Sequence, residues 1–375
     1  MVRSFVFVLV FAGGLLAGVA RAQPAPSVAA ASWLLYDVTS GQVIAAQNAD
    51  ERRDPASLTK LMTAYLSFGA LRSKTLTPSQ PVNVSERAWR AEGSRMFVEP
   101  RRAVSVDELL HGMIIQSGND ASIALAELVA GSESAFAEKM NAEAQRLGLA
   151  NTHFVNATGL SDPQHYSSAS DLGRLAVALI RDYPDFYPLY SIREYRYNNI
   201  TQPNRNRLLW IDPAVDGVKT GHTDAAGWCL ISSAKRGERR LLSVVLGAAS
   251  DAARAVESQK LLNYGFQAFD AVQLYPSGKA VSTLRVWKGA TAEVPAGFLA
   301  DRYLTLPKGK AAKLELTLTA TEPLVAPVAK GQPIGAVKVV LEGKTLAEYP
   351  LLALADVPLA SLVGRAWDTL RLWFK

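Results

Sequence analysis

At 375 residues, 49% hydrophobic and 20% charged, with 26 glycines and 19 prolines, the chain carries enough apolar material for a large core and excludes a disordered or fibrous protein. Formal net charge is +6, but acidic and basic residues intersperse along most of the chain, which excludes the clustered basic pattern of a nucleic-acid binder. Length favours two domains.

The first stretch reads as an export leader. Arg3 supplies the positive start, Phe5 to Val19 is almost wholly apolar, and Ala20-Arg21-Ala22 has the small-x-small form of a cleavage site. Cleavage would remove residues 1–22 and, with Arg3 and Arg21, lower the net charge to about +4. Export places the protein in an oxidising compartment, yet Cys229 is the single cysteine, so no internal disulfide forms. It lies in the apolar run Trp228-Cys229-Leu230-Ile231 and reads as a small buried hydrophobe. His111, His153, His165 and His222 lack the spacing and cysteine partners of a metal site, so no metal or other cofactor is expected.

In the mature chain, Trp33 to Asp37 and Ser40 to Ile44 predict a hairpin around a glycine-containing turn. From Ser57 the apolar spacing turns helical, and further helices are predicted at Val106–Gln116, Asp120–Ala130, Ser134–Leu147 and Ser170–Arg181. After Asp185 the pattern is β-like, with Tyr195 and Tyr197 alternating with polar neighbours, then buried strands at Trp228–Ser233 and Arg240–Gly247. Arg254–Phe269 returns to helix. This order predicts an α/β (α+β) domain, residues 28–268, whose terminal elements meet in one antiparallel sheet with a helical block inserted between them.

Beyond about Asp270 the helices stop. Leu314, Leu316 and Leu318 alternate with polar residues, and Glu342-Gly343 separates two β-like runs as a tight turn would. Residues 269–355 are therefore expected to form a small all-β domain. In residues 356–375, Leu359, Leu362, Val363, Ala366, Trp367, Leu370, Trp373 and Phe374 fall on one helical face opposite basic residues, the pattern of a helix lying in a membrane interface.

Three short motifs carry chemistry. In Ser57-Leu58-Thr59-Lys60, residues i and i+3 share a helical face, so the lysine amine can take the serine proton. Ser232-Ser233-Ala234-Lys235 has the same spacing but lies in a predicted strand, where those positions face opposite ways. Ser117-Gly118-Asn119 sits between two predicted helices and can present a hydroxyl and an amide to a cleft. Lys219-Thr220-Gly221 precedes a strand-like run, where Gly221 would admit a substrate backbone and the Lys219 ammonium would depress the Lys60 pKa.

The ordered set S-x-x-K, S-x-N, K-T-G resembles the penicillin-binding protein and serine β-lactamase superfamily. The surrounding residues resemble its low-molecular-mass D-alanyl-D-alanine carboxypeptidases, including Asn151-Thr152-His153-Phe154 and Tyr166-Ser167-Ser168, and the likeness runs through the β domain and the tail. It implies an exported enzyme on the periplasmic face of the inner membrane that trims peptidoglycan stem peptides and is acylated by β-lactams. It also implies that Ser57 is the nucleophile, Lys60 its base, Ser117 and Asn119 a proton relay and substrate contact, and Lys219 a proton and charge partner. Arg205 would hold the substrate carboxylate, with Thr220, Gly221 and His222 beside it, and the amides of Ser57 and His222 would form an oxyanion hole. A β-lactamase and an inactive cell-wall scaffold are the alternatives. A deacylating glutamate with asparagine four residues on occurs only as Glu194 and Asn198, read as solvated strand residues, so a penicillin acyl group is expected to leave slowly.

Overall fold

The computed structural model describes residues 25–373. The expected leader and the terminal Phe374 and Lys375 lie outside them. The chain divides into two compact units, one spanning Pro24–Gln267 and one that includes Ala268–Lys375.

The first unit opens with β1 (Ser32–Asp37) and β2 (Gln42–Gln47), the expected hairpin. A 3₁₀ turn, Ala56–Thr59, leads into α1 (Lys60–Arg72). The inserted block follows: β3 (Pro81–Val82), α2 (Glu86–Trp89), β4 (Val104–Ser105), α3 (Val106–Ile115), α4 (Asn119–Ala130), α5 (Glu133–Arg146), α6 (Ala169–Asp182), the hairpin of β5 (Glu194–Tyr197) and β6 (Ile200–Pro203), and α7 (Leu208–Ile211). The chain then returns to the sheet through β7 (Val215–Thr223), β8 (Gly227–Arg236) and β9 (Arg239–Ala248), and ends in α8 (Asp251–Ala268). The sheet order is β2-β1-β9-β8-β7, antiparallel throughout, so the first and last strands do meet at its centre.

Local chemistry sets the helix starts. Ser105 and Glu108 form a reciprocal capping box on α3, while Ser132 and Ser168 cap α5 and α6 through their hydroxyls. Alternation along the strands then builds three layers. Leu34 and Val244 point into the core shared with Leu172 and Leu175 of α6, whereas Leu35 and Val245 belong to another apolar cluster with Leu261 of α8 on the far face. Leu35 is fully buried, so truncation to alanine would cost about 2–5 kcal/mol.

β7 is an edge strand, with one side free of a ladder partner among the described residues. The motif Lys219-Thr220-Gly221 lies within this strand, not ahead of it as the sequence suggests. Asp216, Gly217 and Gly221 weaken the β pattern there, but eight pairs with β8 from Val215 to Thr223 override the weak propensity.

The second unit contains β10 (Phe269–Tyr275), β11 (Ala280–Arg285), β12 (Glu293–Gly297), β13 (Arg302–Pro307), β14 (Leu314–Ala320), β15 (Pro333–Leu341), β16 (Lys344–Ala353) and α9 (Leu362–Trp373). β10 pairs with β13, and the other strands form a sheet of order β11-β12-β16-β15-β14. Glu342 and Gly343, both at positive φ, turn β15 into β16 as expected for a tight hairpin. Phe298 anchors the core between Tyr275 and Tyr349. The side chains of α9 are not buried, and no helix among the described residues is long and apolar enough to cross a membrane.

Candidate active site

The 3₁₀ turn that carries Ser57 eclipses residues i and i+3, and Lys60 Nζ lies 2.9 Å from Ser57 Oγ. Lys60 is 1% exposed, and its Nζ donates to Asn119 Oδ1 at 2.7 Å and to the Thr158 carbonyl at 2.6 Å. Those two acceptors use both hydrogens of a neutral amine and leave its lone pair for the Ser57 hydroxyl. Burial lowers the Lys60 pKa to about 7, with the Arg205 guanidinium adding to the effect and Asp120 opposing it.

The motif order points to Lys219 as the cation that depresses the Lys60 pKa. Burial is the larger cause, and Arg205 is the cation that contributes most. Lys219 is itself held well below its usual range, first by burial and then by Lys60, Arg205 and Arg254. Its Nζ donates to Ser117 Oγ at 2.9 Å and to the Thr220 carbonyl at 3.1 Å. Two chains of contact thus flank one cleft: Ser57–Lys60–Asn119 on one side and Ser117–Lys219 on the other.

Ser117 sits between α3 and α4 at φ +68°, a left-handed conformation that a serine adopts only when its surroundings impose it. The Asn119 amide is fixed at both ends, with Oδ1 on Lys60 and Nδ2 donating to the Glu92 carbonyl at 2.6 Å. Asp120, fully buried, accepts from the backbone N–H groups of Met96, Phe97 and Val98 at 3.0, 2.8 and 3.2 Å, which secures the loop above Asn119.

Gly221 lines the cleft and also answers a packing demand. A Cβ there would lie 3.1 Å from the Pro55 carbonyl and 3.2 Å from the Ala56 Cβ, so its bareness lets β7 pack against the turn that carries Ser57. Gly159 is more constrained: at φ +84° its Cβ would fall 1.8 Å from the Ala56 carbonyl oxygen. The loop that supplies the Thr158 carbonyl can close on the nucleophile turn only with glycine there.

The cleft has a volume of about 370 Å³ and is lined by Ser57, Ser117, Asn119, Arg205, Thr220, Gly221 and His222, among others. Lys60 and Lys219 lie behind this lining. Arg205 has no hydrogen-bond or ion-pair partner among the described residues, which leaves its guanidinium open to an incoming carboxylate. The His222 and Trp228 rings lie 3.9 Å apart, centroid to centroid, and both residues line the cleft. No lining residue is acidic. Glu194 and Asn198 lie in and beside the β5–β6 hairpin and do not line the cleft. In the second S-x-x-K match, Ser232 is buried and donates to the Gly217 carbonyl, while Lys235 is exposed.

Three contributors escaped the motif reading. Arg254 is buried, donates to the Gly221 carbonyl at 3.0 Å and pairs with Asp251, so it braces β7 from α8. Its signal was present: Arg254 shares a helical face with Leu261 seven residues on, which marks it as an inward-facing arginine. The Thr158 carbonyl belongs to the backbone and has no residue signature. His165 accepts from the Val155 N–H at Nδ1, which places its proton on Nε2, 2.8 Å from the Thr59 hydroxyl. Burial lowers its pKa to about 4, so a neutral imidazole ties the Thr158 loop to the Ser57 turn.

Residues 19–250 match the family D-alanyl-D-alanine carboxypeptidase, peptidase S11, and residues 269–359 match the penicillin-binding protein 5 C-terminal domain. The chain is 44% identical over 358 residues to D-alanyl-D-alanine carboxypeptidase DacC of Escherichia coli (strain K12), covering 93% of this chain and 90% of the relative. The crystal structure of penicillin-binding protein 5 from Haemophilus influenzae superposes with a TM-score of 0.86 at 41% identity, covering 89% of this chain and 98% of that one. Penicillin-binding protein D2 from Listeria monocytogenes in its cefotaxime-bound form superposes with a TM-score of 0.61 at 32% identity over 65% of this chain and all of that one. With its motif residues gathered at one cleft, the chain belongs to the D-alanyl-D-alanine carboxypeptidases of peptidase family S11, with a C-terminal domain of the penicillin-binding protein 5 type.

Proposed function

We propose that the chain is a serine D-alanyl-D-alanine carboxypeptidase that removes the last D-alanine from peptidoglycan stem peptides through an acyl-enzyme on Ser57. The observation that carries this reading is Lys60 Nζ, buried and 2.9 Å from Ser57 Oγ, with its remaining hydrogens committed to Asn119 and Thr158.

Neutral Lys60 takes the Ser57 proton as Oγ attacks the penultimate carbonyl. The amides of Ser57 and His222 stabilise the oxyanion, and Arg205 with Thr220 holds the terminal carboxylate. Ser117, linked to Lys219, delivers a proton to the departing D-alanine amine, and water then releases the shortened peptide. A penicillin acylates the same serine. Because no carboxylate lines the cleft to activate water, that acyl group leaves slowly, which disfavours a β-lactamase.

The exposed face of α9, where Leu362, Val363, Trp367, Leu370 and Trp373 are 56–86% accessible, lies in the outer leaflet of the inner membrane and holds the enzyme at the periplasmic surface. Peptidoglycan maturation and cell-shape maintenance follow from that placement.

Incubation of the purified protein with a stem pentapeptide tests the activity: free D-alanine from the wild type and none from Ser57→Ala supports it. Rapid nitrocefin turnover in place of stoichiometric labelling would favour the β-lactamase. Absence of covalent penicillin labelling in folded protein would favour a scaffold.

A further inference from the structure

A second groove, of about 560 Å³, opens beside the catalytic cleft. The two share a wall, in which the Asp54 carboxylate accepts from the Thr223 hydroxyl at 3.3 Å and also from the Ser161 hydroxyl. Leu160 and Thr223 line the catalytic cleft, and the residues just beyond them, Ser161 and Ala225, line the groove. Loop and strand therefore lead from one space into the other.

The direction of a bound peptide decides what enters that groove. Asn206, next to Arg205, donates to the Gly217 carbonyl, so Arg205 stands beside the first half of β7. Thr223 lies six residues further along the strand, about 20 Å away at the strand rise. A substrate whose carboxylate rests on Arg205 and whose scissile carbonyl faces Ser57 must extend its amino side towards Thr223 and the groove. The first long side chain on that side belongs to the residue preceding D-Ala-D-Ala, the diamino acid of the stem peptide.

The charges in the groove fit only part of that chemistry. Arg53 pairs with Glu51 at 2.9 Å, and Asp54 is committed to Ala56 N–H, Ser161 and Thr223. Two groups stay open. Arg52 stacks over the Tyr166 ring at 4.6 Å and uses Nε on Asn151, which leaves both terminal nitrogens without a partner among the described residues. Asp162 accepts the Gln164 N–H on Oδ1 and has no partner at Oδ2 among the described residues. A guanidinium held over an aromatic ring can present its fork to a carboxylate.

We propose that this groove is a subsite for the zwitterionic end of a meso-diaminopimelate side chain, with Arg52 receiving its carboxylate and Asp162 its ammonium. The proposal rests on the carboxypeptidase reading above. A lysine side chain at the same position would offer Asp162 an ammonium but leave Arg52 empty.

The test compares D-alanine release from three stem pentapeptides that carry meso-diaminopimelate, lysine or Nε-acetyl-lysine at that position. For the wild type, kcat/KM is expected to fall in that order, by about fivefold to tenfold at each step. Arg52→Ala should bring the diaminopimelate peptide down to the lysine peptide and leave the other two unchanged. Asp162→Asn should lower the diaminopimelate and lysine peptides and spare the acetylated one. Acylation by benzylpenicillin, which has no such side chain, should stay at the wild-type rate in both variants and shows that they are folded. Equal wild-type rates on all three peptides, or parallel losses on all three in the variants, would overturn the subsite alone. Failure of the wild type to release D-alanine from any peptide would overturn the carboxypeptidase reading and the subsite with it.

Discussion

The catalytic cleft and helix α9 break the usual rule of burial in opposite directions. In the cleft, Lys60 and Lys219 are 1% and 3% exposed, surrounded by protein where water would normally be. On α9, Val363 and Trp373 are 80% and 86% exposed, facing water where protein would normally be. Burial of an amine is unfavourable unless the neutral form is accepted, and neutrality is what a base requires. Exposure of tryptophan is unfavourable unless another apolar phase covers it, and a lipid surface supplies one. Each departure thus accords with the role proposed for its region, through the environment that would relieve it.

The comparison can be broken most severely at the nucleophile. Ser57→Ala should abolish penicillin labelling and lower D-alanine release by about four orders of magnitude or more, measured by mass spectrometry and amino-acid release. Lys60→Ala removes the base and leaves the hydroxyl in place; acylation should fall by about 10²–10⁴-fold without loss of folding, as read by stopped-flow with a fluorescent penicillin. Arg205→Ala should cost about 10–100-fold in kcat/KM for the peptide, the worth of a hydrogen bond to a charged group, and should spare the thermal midpoint because Arg205 has no hydrogen-bond or ion-pair partner among the described residues. Gly159→Ala tests the closeness of loop and turn: the clash with the Ala56 carbonyl should destabilise the protein by about 1–3 kcal/mol in denaturant titration and slow acylation together with it. At α9, replacement of Trp367 and Trp373 by serine should lower partition onto anionic vesicles by about tenfold or more, while turnover of a soluble peptide stays at the wild-type value. A loss of turnover in that last variant would show that the two regions are not separable.

Legibility in the sequence followed the range of the contacts. The pairing of Ser57 with Lys60 spans one turn, so spacing alone reveals it, and the rejection of Ser232 rests on the same local geometry. The meeting of β1 with β9 was legible from the order of elements, since strands at both ends of a helical block have each other to pair with. The placement of Lys219 inside β7 was not, because Gly217 and Gly221 dilute the strand pattern and the partner strand that enforces it comes later. The motif also does not reveal that the Pro55–Ala56 turn packs against Gly221, because that contact joins segments far apart in the chain. The Thr158 carbonyl and the Asp120 contacts to three amides use backbone groups that every residue possesses, so no residue type announces them.

The most direct measurement is the pH dependence of Ser57 acylation by benzylpenicillin, followed by mass spectrometry from about pH 5 to pH 9. The neutral amine is the active form and Lys60 titrates at about 7, so the rate should climb with pH through that value and level off above it. The Lys60→Ala variant should lose that rise. A wild-type rate that stays flat across the range, or a penicillin adduct on any residue other than Ser57, would contradict the account.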